Sequence, residues 1–363
     1  MKLTGLQLFW LMFSFETGNM LLLTIGPTAQ EAKQDAWISF LAASVLGIVI
    51  VYIACKTALL FPKQTLIQFS KLILGKWVGT IVIIVYLLQW FAVIGNILRE
   101  FADFTITILL PFTPPWALIL TMLLLMIYVT CIGGIEGIGR CSEVFGTIMF
   151  LSLFALLILS VQNVDLQRIL PIFTDTGIKR IWKGALTPLA FLGESVMVLM
   201  LISFMDQPKK GLKCAVWGIT ASACIVSTVA FWVLMTLGPE LTANLRHPVF
   251  DTVSYISVLD FIQNLELIAV LVWILSVFIK LSLYFFFASY GTAQLFKMKN
   301  WRKMIWFTAP FFFALAVFYP SSSYTFGYMK TYMVYFVLPV NIVGIPLLLL
   351  VVGSIRKKFT ISH

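Results

Sequence analysis

The sequence predicts an all-α integral membrane protein of ten transmembrane helices arranged as two halves of five. Three observations lead there. Of its 363 residues 61% are hydrophobic and only 11% charged, against about 25% charged in a soluble domain. Apolar runs of about 20 residues, the length that crosses a bilayer as a helix, recur along the chain with mostly short polar joins. Two of those runs, 6–27 and 186–204, carry a polar cluster at mid-length, five spans apart.

The first run holds Glu16, Thr17, Gly18 and Asn19 where lipid would favour leucine. A charge at the centre of a span costs roughly 2.5–3.5 kcal/mol on insertion scales, so it should face a cavity or a partner. The second run repeats the device with Gly193, Glu194 and Ser195. Interrupted helices in corresponding positions of two halves mark the midplane site of inverted-repeat transporters. The expected architecture is therefore a LeuT-type 5+5 repeat with spans 1 and 6 broken. It forms a single membrane domain over 1–363, with halves of about 1–162 and 186–363.

The other spans follow by hydropathy: span 2 at 36–60, span 3 at 79–109, span 4 at 116–135 and span 5 at 143–161. Span 7 covers 213–237, span 8 265–290, span 9 304–319 and span 10 331–353. Residues 61–77 read as a helix in the headgroup region, with Trp77 as its anchor. Stretches 162–185 and 238–264 are too polar to span. With the N-terminus inside, sixteen Lys and Arg fall in cytoplasmic segments and eight on the other face, the bias that sets orientation. Both termini are then cytoplasmic, and the net charge of +10 reflects those loops rather than affinity for nucleic acid. No cleavable signal peptide is expected, since the first apolar segment is too long and lacks a small-residue cleavage site. The five cysteines show no CxxC pair, so disulfide and zinc sites are not expected.

The candidate ligand-binding residues are Glu16, Thr17, Gly18, Asn19, Val93, Asn96, Leu192, Gly193, Glu194 and Lys280. An unwound turn at Gly18 or Gly193 would present N–H groups to a ligand carboxylate; alternatively either glycine only permits close helix packing. Glu194 would accept from a ligand amine or pair with Lys280, or else is a neutral packing residue. Lys280, inside span 8, cannot easily snorkel to the interface. It serves either as a built-in cation beside the broken part of span 1 or as a structural partner of Glu16 or Glu194. In span 3, Arg99 with Asp103 and Asn96 with Glu100 are i,i+4 pairs, expected to satisfy one another near the outer surface, with Asn96 deep enough to reach a pocket. His247 has no partners at metal-ligand spacing. No catalytic constellation or phosphate motif is visible, and neither an enzyme nor a cofactor is expected.

Several short pieces resemble a known family. They are Asp35-Ala36-Trp37-Ile38 after the first span, and Gly137-Ile138-Gly139-Arg140 followed by Ser142-Glu143-Val144. They also include Leu170-Pro171 with Lys183-Gly184, Phe191-Leu192-Gly193, and Trp273 with Phe278-Ile279-Lys280. In this order, over nearly the whole chain, they resemble the B subunits of bacterial spore nutrient-germinant receptors. That family is similar to the amino acid–polyamine–organocation transporters. The resemblance implies a receptor subunit in the spore inner membrane that binds a small nutrient germinant and works with A and C subunits. A secondary amino acid transporter of the same fold, or a structural subunit with a vestigial pocket, would use the same sequence features.

Overall fold

The computed structural model describes residues 2–160, 164–173, 176–254 and 265–361, the side chains of 322–326 and 357–361 excepted. Residue 161, the predicted end of span 5, and parts of both long loops lie outside the described residues. Among them, helices account for nearly all regular structure.

Span 1 starts on a capping box in which Thr4 and Gln7 satisfy each other's backbone N–H, the usual side-chain answer to orphan donors at a helix start. It runs Gly5–Leu23, turns at Thr24, and continues as Ile25–Ala32. A 3-10 turn at Lys33–Asp35 follows, with Lys33 at φ 47°, and span 2 is Ala36–Ala58. Thr28 lies level with Gly184 and Ser39 with Ile181, so the chain doubles back at this turn. The short helix Leu66–Leu74 has its own capping box, on Thr65 and Gln68. Span 3 is Lys76–Ile108.

Spans 4 and 5 share one helical stretch, Pro115–Leu159, divided at Gly134. Its φ of 55° and ψ of −146° suit glycine and almost nothing else. The join predicted between 135 and 143 is therefore helical, and an Arg140–Glu136 pair at 2.7 Å braces it at i,i+4 spacing. Span 6 begins at Gly177, nine residues before the predicted start. Its first turns are amphipathic, with Lys179, Arg180 and Lys183 exposed and Ile181, Gly184 and Ala185 buried. A local polar count reads such turns as loop. Spans 7, 8 and 9 are Pro208–Leu237, Glu266–Leu295 and Arg302–Phe318. Span 10, Gly327–Arg356, contains a π-helical segment, Met333–Gly344, around Pro339.

Nine stretches among the described residues are long and apolar enough to cross a membrane. Span 9 adds a tenth at 17 residues, about 25 Å at 1.5 Å per residue. The chain is a multi-pass membrane protein. Outside the buried interior, the polar contacts between elements gather at two ends. Lys183 pairs with Glu31, Gln30 bonds the Ala243 carbonyl and Arg168 the Thr236 carbonyl at the end predicted to face outward. Lys2–Asp206, Thr65–Gln294 and Arg356–Leu72 hold the other. At that second end Leu3 bridges to Met205, tying the start of span 1 to the end of span 6.

Candidate functional site

The polar run of span 1 does not unwind. Glu16 to Asn19 lie inside the helix Gly5–Leu23, contrary to the expected turn, and the break comes at Thr24. The local polar groups find partners without leaving the helix. Thr17 Oγ1 donates to the Phe13 carbonyl at 2.6 Å and meets Ser222 Oγ at 3.0 Å. The Gly18 N–H donates to Ser276 Oγ at 2.9 Å. Span 6 does change at the predicted place: Gly193–Met197 tightens to a 3-10 helix. This poorer hydrogen-bond geometry often marks functional segments.

Between the two lies a buried charge cluster. Lys280 Nζ of span 8 donates to Glu194 Oε2 at 2.5 Å and lies 3.7 Å from Glu16 Oε2. Tyr284, one turn on, donates its hydroxyl to Glu194 Oε1 at 2.6 Å. Ser195 Oγ donates to Glu16 Oε1 at 2.7 Å, and Lys280 Nζ also stands 4.6 Å over the Phe15 ring. Both alternative partners of Lys280 are thus present at once. Burial of a lone ammonium would be prohibitive, and pairing with hydrogen-bonded carboxylates is what allows it.

Above the cluster is a cavity of about 30 Å³, room for a water or two. Span 1 contributes Asn19 and Leu23, and span 3 contributes Val93, Asn96, Ile97 and Glu100. Span 6 adds Thr187, Phe191 and Glu194, and span 10 adds Met329, Lys330 and Met333. Arg246 and His247 of the loop after span 7 complete the lining. Those two residues and Glu100 also line a larger vestibule of about 490 Å³ with Asp103, Asp251 and Glu266. They form the partition between cavity and vestibule. Burial, and next the positive charge of Arg246, pull the His247 imidazole down to about 4, opposed by a backbone hydrogen bond with Leu22. His247 is therefore a neutral member of this layer at ordinary pH.

Of the predicted residues, Asn19, Val93, Asn96 and Glu194 line the cavity. Glu16 and Lys280 stand behind Glu194. Thr17, Gly18, Leu192 and Gly193 are buried in helix contacts: Gly18 lies against Ser276 and Gly193 against Ile342, where an added Cβ would come within 2.6 Å of Cγ2. Leu192 packs on Gly47 of span 2. The expected self-satisfied end of span 3 holds for Arg99 and Asp103, paired at 3.0 Å, while Glu100 turns to the cavity. Its signal was available, since Val93, Asn96, Ile97 and Glu100 follow the i, i+3, i+4, i+7 spacing of one helix face. Arg246, His247, Met329 and Lys330 come from beyond the predicted broken helices, and only the tertiary fold brings them in.

The model of the family described as spore germination proteins matches residues 2–325. The chain belongs to that family. Among its relatives, spore germination protein YndE of Bacillus subtilis (strain 168) is 27% identical over 277 residues, 75% of each chain. Spore germination protein KB of the same strain is 26% identical over 299 residues, 81% of this chain and 79% of the other. Two solved transporters share the fold. The transporter MhsT, solved in complex with L-phenylalanine, superposes with a TM-score of 0.67 at 14% identity, covering 95% of this chain and 87% of that one. Mhp1, a nucleobase-cation-symport-1 family transporter in a closed conformation with bromovinylhydantoin bound, gives 0.64 at 11%, over 93% and 78%. The germination-family resemblance and the LeuT-type architecture are both borne out.

Two of the short pieces that carried the resemblance meet in space. The buried carboxylate of Asp35 accepts from the Phe173 N–H at 3.1 Å, and Gln34 donates to the Pro171 carbonyl at 3.0 Å. They join the turn after span 1 to the long loop before span 6. Trp273 packs 4.1 Å from Phe104 under the vestibule. In this germination-family chain, these pieces hold together the end where the long loops lie, while Lys280 belongs to the charge cluster.

Proposed function

We propose that this chain is the nutrient-binding, B-type subunit of a spore germinant receptor. It takes a small amino-acid-like zwitterion into the cavity between spans 1, 3, 6 and 10. It then signals to partner A and C subunits in the spore inner membrane. The observation that carries this reading is the charge division of the cavity wall. Glu100, Asn96, Asn19 and Glu194 offer acceptors for an ammonium, and Arg246 and Lys330 offer donors for a carboxylate. At about 30 Å³ the cavity is closed to such a solute, so entry requires the Glu100–Arg246–His247 layer to move. That movement, at the end where the long loops lie, is what a partner subunit would sense.

Germination of a receptor-deletion strain complemented with this chain and its partner subunits, across a nutrient panel, tests the proposal. A charge-assisted hydrogen bond is worth about 1.5–3 kcal/mol, so Glu100→Gln or Arg246→Gln should raise the effective nutrient concentration roughly 10–100-fold. An unchanged dose–response in both variants contradicts the proposed site. The shared fold with solute transporters favours a second reading, a secondary amino acid transporter. Solute counterflow by the reconstituted chain without partner subunits would favour it.

A further inference from the structure

Two carboxylates share one ammonium at the centre of the molecule, and all three are sealed: Glu16 and Lys280 are 0% exposed and Glu194 2%. The two acids are not equally served. Both oxygens of Glu194 accept short hydrogen bonds, from Tyr284 and from Lys280. Glu16 accepts from Ser195 on Oε1, but its Oε2 has no hydrogen-bond donor and sees the ammonium only at 3.7 Å.

No other described element packed on Glu16 brings a compensating cation. Span 7 offers Ser222 to Thr17. Span 5 brings Glu143 to Gln7, about two and a half turns away. Glu100 of span 3 and the cations Arg246 and Lys330 line the cavity, which Glu194 reaches and Glu16 does not. Two ionised acids around one ammonium would leave an uncompensated charge in a dry site, and carboxylates so placed do not both ionise.

We infer that Glu16, Glu194 and Lys280 form a binding site for a single proton, with Glu194 the ionised partner of Lys280 and Glu16 the protonated acid. The site also has an exit for the proton. Glu194 lines the central cavity and Glu16 does not. A cationic group that enters and pairs with Glu194 frees Lys280 to move onto Glu16, and the proton leaves through the cavity to the outer solution. This linkage rests on the cavity being the nutrient site; the proton itself does not.

Infrared spectroscopy of the full chain in lipid nanodiscs, with no nutrient present, tests the proton alone. Glu100→Gln serves as the background, to remove the other buried carboxyl of the cavity. A carboxylic acid C=O band is expected and should be lost in Glu16→Gln. The amide mimics the neutral acid, so Glu16→Gln should melt close to its parent, whereas Glu194→Gln should melt several degrees lower. Absence of the band from the parent would overturn the inference, most directly if sodium then raises the melting temperature, because a metal cation would be balancing two ionised acids. A band that survives Glu16→Gln, or a Glu16→Gln protein that melts below Glu194→Gln, would also overturn it. Proton release on adding an amino acid, read with a pH dye, tests the linkage separately from the proton site.

Discussion

Spans 1 and 6 carry the same device in sequence, a small residue beside a glutamate at mid-membrane, yet fold it differently. Span 1 keeps its α-helical ladder through Glu16–Asn19 and breaks at Thr24, while span 6 tightens to a 3-10 helix at Gly193–Met197. Neighbours account for the contrast. Polar side chains from other spans reach the run in span 1: Ser222 from span 7, Ser276 from span 8 and Ser195 from span 6. With partners supplied from outside, the backbone has nothing to gain by unwinding. In span 6 the neighbours of Gly193 are apolar, chiefly Ile342. Pro188 upstream has no N–H for the Gly184 carbonyl, which loosens the ladder approaching the segment. A polar run in a membrane helix thus marks a need for partners, and whether it also marks a break depends on who supplies them.

The largest expected effect comes from removing the charge that both helices share. Lys280→Met strands the buried carboxylate of Glu194, to which the lysine donates at 2.5 Å, and breaking a buried pair typically costs about 3–5 kcal/mol. The monodisperse yield and thermal stability of the purified variant should fall sharply. Replacing Glu194 by Gln in the same chain should recover part of the loss, and a double-mutant cycle gives the coupling. Wild-type stability and nutrient response in Lys280→Met would remove the cluster as the link between the two spans.

Most of the fold was legible because hydrophobic length is a strong signal where every span must bury about 20 residues in lipid. The errors fall where polar residues sit on helices. The amphipathic start of span 6 read as loop, and the join between spans 4 and 5 read as open because, of Gly133, Gly134, Gly137 and Gly139, only Gly134 takes a positive φ. In the site, residues on a polar mid-span run were found and those delivered by a loop were not. Arg246 and His247 sit in a stretch with no periodicity, so no local pattern ties them to Asn96 or Glu194. Lys280 was legible as an anomaly, but its pairing with both acids depends on three helices meeting at one level.

A smaller effect sharpens the same contrast through the two glycines. At Gly18 a Cβ would overlap the Ser276 side chain, whose hydroxyl also accepts from the Gly18 N–H and donates to the Ser14 carbonyl at 2.6 Å. At Gly193 it would meet Ile342 Cγ2, part of a side chain able to turn away. Overpacking typically costs about 1–3 kcal/mol, and Gly18→Ala should stand near the top of that range and Gly193→Ala near the bottom. Chemical or thermal unfolding of both variants in detergent ranks them. The reverse order would mean that the 3-10 segment of span 6, rather than the Ser276 contact, is the tighter crossing.

The smallest effect concerns how span 6 tolerates its proline. Because Pro188 donates nothing to the Gly184 carbonyl, Thr28 of span 1 donates there instead, at 3.4 Å. The bond is long, and interhelical hydrogen bonds in membranes average about 0.6 kcal/mol. Thr28→Val, close in shape but without a donor, should therefore cost about that much in the wild-type chain. In a Pro188→Ala background the restored N–H can reach the same carbonyl through the ordinary i to i−4 bond, and Thr28→Val should cost nearly nothing. The coupling energy of the cycle is then the measured share of span 1 in closing the gap in span 6. Equal costs in both backgrounds would show that the Thr28 bond is independent of residue 188, and does not stand in for the N–H that Pro188 lacks.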